Sequence, residues 1–322
     1  MMTSAILAIL LSTTAPVSQP AAAAVVAADG SGEFKTVQEA VNAAPQLTSR
    51  DRPWTILIKP GTYRELVYIQ REKRYLTLRG GGADPSETVI TYDLHANMPG
   101  LDGQKIGTFR TPTVYIDADD FACENLTFEN AAKPRTGQAL AIRIDGDRVR
   151  FRRCRFLGWQ DTILGNRGRH HFDDCYIAGA VDFIFGGATQ WYENCHIHCL
   201  GGGYITAAST REDIAYGFVF NHCRITAESA DVRTYLGRPW RAFASTTFLN
   251  TEMPAAVRGA GWHNWDKPER ERTARYAEFN SRGAGAGAAP DQRVAWSRQL
   301  RADEAKAITK EAVLAGSDGW KP

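Results

Sequence analysis

Residues Gly158 to Gly187 read GWQDTILGNRGRHHFDDCYIAGAVDFIFGG, and they place two aspartates, Asp161 and Asp182, 21 residues apart in short apolar settings. Asp161 precedes Thr162, Ile163 and Leu164, and Asp182 sits between Val181 and the run Phe183, Ile184, Phe185. Each carboxylate therefore interrupts a segment that reads as a buried strand. An ionised carboxylate is rarely buried without a partner, so both positions need a chemical reason.

Coils of roughly twenty residues would bring positions one period apart onto adjacent parallel strands, about 4.8 Å from each other. Asp161 and Asp182 then become neighbours. Gln138 precedes Asp161 by 23 residues and Gln160 precedes Asp182 by 22, so the two amides join the same polar patch. Two close carboxylates push their pKa values apart, leaving one protonated and one ionised.

The period extends outward in both directions. Cys154, Cys175, Cys195 and Cys223 each stand two residues before Phe156, Ile177, Ile197 and Ile225, and with Phe128 these apolar positions recur after 28, 21, 20 and 28 residues. Short strands at that spacing, with no helices between them, indicate a solenoid. The expected fold is all-β, a right-handed parallel β-helix with short capping helices at both ends. A β-sandwich would need tight two-residue hairpins and polar alternation on one face. Thr36 caps a short helix bearing Val37, Ala40 and Val41, and Ala302 to Ala315 reads as one amphipathic helix closing the domain. Gly61 reads as a turn residue and Glu65 as a satisfied polar group far from the aspartates. The basic corner of Arg167, Arg169, His170 and His171 reads as solvated. Cys175 and Cys195 fall within reach of a disulfide, the alternative being a stack of free buried thiols. No C-x-x-C pair suggests a structural zinc site.

Over 322 residues the formal charge is +2, with 43% hydrophobic and 23% charged residues. This is a globular composition, too weakly basic to imply nucleic acid, and no apolar run is long enough to span a membrane. Ala5 to Leu11 form a short apolar core and Ala21 to Ala24 supply small residues suited to signal-peptidase cleavage, although no Lys or Arg precedes the core. The expectation is an export signal over 1–24, cut after Ala22, Ala23 or Ala24. A single domain over 25–322 would follow, secreted to the periplasm or outside the cell and monomeric.

Taken together, GTYRE at Gly61 to Glu65, QALAI at Gln138 to Ile142, GWQDT at Gly158 to Thr162, VDFIFG at Val181 to Gly186 and LGRPW at Leu236 to Trp240 resemble, in order, the motifs of the pectin methylesterases. The resemblance covers about Asp29 to Trp320 and implies the same β-helix. It further implies hydrolysis of galacturonate methyl esters in pectin, releasing methanol, with no cofactor and no metal. Asp182 would be the nucleophile, and Asp161 the acid that protonates methanol and then the base that activates water. Gln138 and Gln160 would bind the oxyanion. Arg238 would pair with Asp182 and keep it ionised, while Trp240 and Phe183 would stack on sugar rings. One departure stands out: after GWQDT the family usually has Leu and Tyr, whereas Ile163 and Leu164 follow here. A pectate lyase, a polygalacturonase or a non-catalytic pectin-binding module could share the fold. Neither the lyase's calcium site and base nor the hydrolase's aspartate cluster is found, and a binding module would be expected to lose Asp161, Asp182 or Arg238. No G-x-S-x-G is present, which argues against a serine esterase.

Overall fold

The chain turns at its corners by a repeated device. Asn125, Arg153, Asp174, Asn194, His222, Asn250 and Asn280 take positive φ angles between 48° and 57°, one per coil. Asn, Asp and His tolerate this left-handed region better than bulky or β-branched residues do, so a sharp bend forms without glycine. Side-chain amides tie these turns together: Asn280 donates to Asn250 at 2.8 Å, and Asn250 donates at 3.0 Å to Asn221, the residue before the His222 corner.

The computed structural model describes residues 22–46, 48–287 and 292–322. Between these corners the strands stack into an 11-stranded and a 12-stranded sheet in which neighbouring strands run parallel. This is the parallel β-helix. The register follows the period read in the sequence, since Phe128, Phe156, Ile177, Ile197 and Ile225 are consecutive partners across four strand pairs. A second rank, Phe151, Phe172, Tyr192, Phe220 and Phe248, stacks ring on ring at centroid distances of 4.9, 4.5, 4.4 and 4.5 Å. Each such pair adds about 0.5–1.5 kcal/mol beyond its area burial.

The N-terminal helix Val37–Ala43 is capped by Thr36, whose hydroxyl accepts from the Glu39 amide. Glu65 accepts from the first helical amides, Val37 at 2.8 Å and Gln38 at 2.9 Å, which gives it the structural role expected. The C-terminal expectation needs correction: Ala302 to Ala315 is not one helix but two short ones, Ala302–Ala307 and Lys310–Val313. Thr309 breaks the run by capping the second helix through the Ala312 amide. Their apolar residues Ala305, Val313 and Leu314 pack on Trp191, Val219 and Leu249, on the outer face of the sheet.

Two further expectations are overturned. All six cysteines are buried free thiols, so the Cys175–Cys195 bridge is absent. In-register parallel side chains leave the sheet in the same direction and stay about one strand spacing apart, beyond a disulfide's usual Cβ separation of about 3.8 Å. The thiols instead lie against carbonyl oxygens of the preceding coil, Cys175 on Phe151 and Cys195 on Phe172. His170 is fully buried rather than solvated, and His171 is half-buried. Gln190 Nε2 donates to His170 Nδ1 at 3.1 Å, leaving His170 Nε2 to donate to the Gly146 carbonyl. Burial pushes the His170 pKa down to about 4 and keeps the ring neutral. Of the expected export signal, only Ala22 to Ala24 fall within the described residues. Residues 282–287 form no helix or strand.

Candidate active site

Five strands form the floor of the site: Ile142–Ile144, Ile163–Gly165, Tyr176–Gly186, His196–Ala208 and Thr234–Gly237. Ile142, Ile163, Ile184 and Thr206 lie in register, and Thr206 continues to Gly237. Just before this row, Gln160 pairs with Val181 and the Asp161 amide donates to the Val181 carbonyl at 3.0 Å. Asp161 and Asp182 therefore occupy equivalent places one coil apart, as their spacing required.

Local sequence explains why both carboxylates face the same way. Gly158 and Gly179 each stand three residues before an aspartate, in GWQD and GAVD. A Cβ on Gly158 would lie 2.7 Å from the Thr162 hydroxyl, and one on Gly179 would lie 2.3 Å from Phe183 Cβ. Only glycine lets the chain fold back this closely. The aspartates themselves take left-handed φ values of 65° and 50°, a conformation that clusters at functional sites. Pairing along Tyr176–Gly186 shifts register on both sides of Val181. Alternation is consequently lost, and Phe183 and Ile184 both enter the main core. Phe183 is 0% exposed. It cannot stack on a sugar ring, which corrects the sequence expectation; Phe185 is the residue of this run that packs against Trp240.

Asp161 and Asp182 are only 7% and 5% exposed. Arg238 reaches Asp182 with both arms of its fork, Nε to Oδ1 at 2.9 Å and Nη2 to Oδ2 at 2.6 Å. The guanidinium is itself held between two rings, 3.9 Å from the Tyr204 centroid and 3.6 Å from that of Trp265. Burial raises the pKa of Asp161 well above the ordinary carboxylate range; the Asp182 charge adds to this and Arg238 opposes it. At Asp182 burial also raises the pKa, opposed by the hydrogen bonds and charge of Arg238. Arg238 thus does not bring Asp182 below its usual value, but it leaves Asp182 the more acidic of the two. One coil earlier, the Ala139 amide donates to the Gln160 carbonyl, setting Gln138 beside the same patch. Gln138 and Gln160 are half-buried.

Trp240 lies between Phe109, at 6.5 Å and 29°, and Phe185, at 5.7 Å and 56°. With Trp265 it covers an apolar patch of Leu140, Leu164, Phe185 and Ala207. Leu164, the departure from the family pattern, is part of this patch. Sequence reasoning missed Tyr204, Trp265, Phe185 and Phe109. The repeat carried a signal for Tyr204, which is in register with Val181 and Tyr235. Trp265 arrives from a loop in which its own amide donates to His263 Nδ1 at 3.0 Å, outside any repeat.

The pectinesterase family profile matches residues 23–317. The chain is 42% identical over 285 residues to Pectinesterase 31 of Arabidopsis thaliana, covering 87% of this chain and 88% of that one. The chain belongs to the pectinesterase family. It is an esterase, and its reaction is the de-esterification of pectin. The solved pectin methylesterase from carrot superposes with a TM-score of 0.84 at 34% identity, over 94% of the enzyme and 96% of the carrot chain. A pectin methylesterase solved in complex with a hexasaccharide matches with a TM-score of 0.79 at 32% identity, over 94% of the enzyme and 99% of that chain.

Proposed function

We propose that Asp182 and Asp161 divide the hydrolysis of a galacturonate methyl ester between them. Asp182 attacks the ester carbonyl carbon, and the amides of Gln138 and Gln160 donate to the oxyanion as it forms. Asp161 gives its proton to the departing methoxide, so methanol leaves and an acyl–Asp182 anhydride remains. The Asp161 carboxylate then takes a proton from water, whose oxygen attacks the anhydride. Free galacturonate departs, and Asp182 returns to its anionic state. The observation that carries this reading is the asymmetry of the pair: two equally buried carboxylates, of which only Asp182 is gripped by a guanidinium. Trp240, backed by Phe185, offers the ring face on which a sugar stacks.

The enzyme acts as an exported monomer. A cut after Ala22 or Ala23 fits the fold best, since Ala24 is buried in the first strand and pairs with Ile56. Every chemical role is filled by Asp, Gln or Arg, and among the described residues no three His, Cys, Asp or Glu side chains converge as a metal site would require. Methanol release is therefore expected to persist in chelator. The direct test is methanol release from methylated pectin by Asp182→Asn and Asp161→Asn, both expected to be inactive. Substantial turnover by Asp182→Asn would give the attack to another group.

A further inference from the structure

A second cleft, of about 600 Å³, lies on the 11-stranded sheet, away from the strands that carry the aspartates. Thr77, Ala122 and Arg150 form one row of its floor, in register on adjacent strands. Arg50, Pro53 and Tyr75 line it, as do Gly319, Trp320 and Lys321. That last segment is stapled down by Asp318, which accepts from Arg148 at 2.9 Å and from Arg169 at 3.0 Å. Arg169 also lies 5.4 Å from the Trp320 ring centroid, and Arg74 lies 5.5 Å from that of Tyr75.

The charge balance of this cleft is unlike that of the whole chain. Lys and Arg number 38 against 36 Asp and Glu, and Arg148, on the cleft wall, is fully engaged with Asp119, Asp120, Asp147 and Asp318. Arg50, Arg150 and Lys321 are exposed cations that form no ion pair with the described residues. A groove with two aromatic rings, Thr77 and Ala122 beside Arg150 on its floor and three cations without an ion pair suits an acidic sugar chain: carboxylates pair with the cations and rings lie on Tyr75 and Trp320. Esterified galacturonate has no charge to offer such a site, whereas each turnover creates one carboxylate.

We infer that this cleft is a second binding site for de-esterified pectin, a run of free galacturonates, by which the enzyme holds its polymeric product while the aspartates act on another stretch. The inference rests on the pectin de-esterification assigned above and not on which residues catalyse it. It is tested with polygalacturonate, which has no ester left to cleave, and with the variant Arg50→Ala/Arg150→Ala/Lys321→Ala. The wild type is expected to bind short galacturonate oligomers at two sites per chain and the variant at one. KM for long, half-de-esterified pectin is expected to rise about tenfold, with kcat/KM on a short, fully methylated oligomer unchanged. Tyr75→Ala/Trp320→Ala should weaken galacturonate binding but not polyphosphate binding. An unchanged stoichiometry in the triple variant overturns the site, as does an equal loss on both substrates. Polyphosphate competing as well as polygalacturonate, in the wild type and in Tyr75→Ala/Trp320→Ala alike, shows a generic anion patch and overturns the uronate assignment.

Discussion

Arg238 holds Asp182 by both carboxylate oxygens, at 2.9 and 2.6 Å, while Asp161, one coil away, accepts no such fork. The repeat supplies two like carboxylates, and a single cation from a later coil makes them unlike. In the proposed mechanism Asp182 is ionised when it attacks, so kcat/KM is expected to fall as pH drops through its pKa. The guanidinium favours the anion, and its removal moves that pKa upward. Arg238→Ala is therefore expected to shift the acidic limb toward neutral pH and to lower the maximal rate by about 10²-fold or more, the scale for losing one preorganised charge contact. A pH profile of kcat/KM decides; an acidic limb that stays in place would remove Arg238 from this role.

Trp265 lies against the Arg238 guanidinium, and the same limb should respond to it. A ring 3.6 Å from the guanidinium restricts the fork and excludes water from one face, with Tyr204 on the other. Trp265→Ala is expected to move the acidic limb in the same direction as Arg238→Ala, by less, and Trp265→Phe to restore most of it. In an Arg238→Ala background the Trp265 substitution should leave the limb where it is. If Trp265→Ala raises KM and leaves the pH profile untouched, the ring serves substrate alone.

Phe183, buried in the core, and Trp240, the proposed sugar platform, offer a comparison of packing with recognition. Phe183→Ala empties a fully buried core position and should lower stability by about 3–5 kcal/mol with KM unchanged in whatever remains folded. Trp240→Ala should raise KM with a much smaller effect on melting. Denaturant unfolding and steady-state kinetics on both variants give the comparison, and the opposite pattern would return Phe183 to the cleft.

Much of this architecture was readable because a solenoid repeats its errors and its signals alike. Phe128, Phe156, Ile177, Ile197 and Ile225 are partners in space because they are equivalents in sequence, and Asp161 and Asp182 follow the same rule. The resemblance alone carried the sugar-stacking role of Phe183, and it gives no side-chain direction: Asp182 at φ +50° interrupts the alternation of the strand, and Phe183 turns into the core. The disulfide was misread because spacing gives the distance between Cα atoms but not the direction of the side chains. The clamp on Arg238 was invisible for another reason: Trp265 comes from a loop outside the period, and no pattern links it to a residue 27 positions earlier. His170 looked solvated beside three basic or imidazole neighbours, yet its partner Gln190 lies a coil away.

Asp161 should lower the stability of the enzyme at the pH where it works. Its folded pKa is raised by burial first and by the Asp182 charge second, whereas the unfolded carboxyl titrates near its ordinary value of about 3.9. The stability linked to a raised pKa is fully present below the unfolded value and is lost as pH rises through the folded one. Asn cannot ionise, so Asp161→Asn escapes that loss. The variant is expected to melt at about the wild-type temperature near pH ~3 and above it near pH ~8, each 1 kcal/mol gained corresponding to about 2–4 °C. Because methanol release should vanish in the same variant, stability and activity would move in opposite directions through one side chain. Thermal melts across that pH range provide the check: a difference in melting temperature that is constant with pH would mean that packing of the amide, and not the buried proton, sets the change.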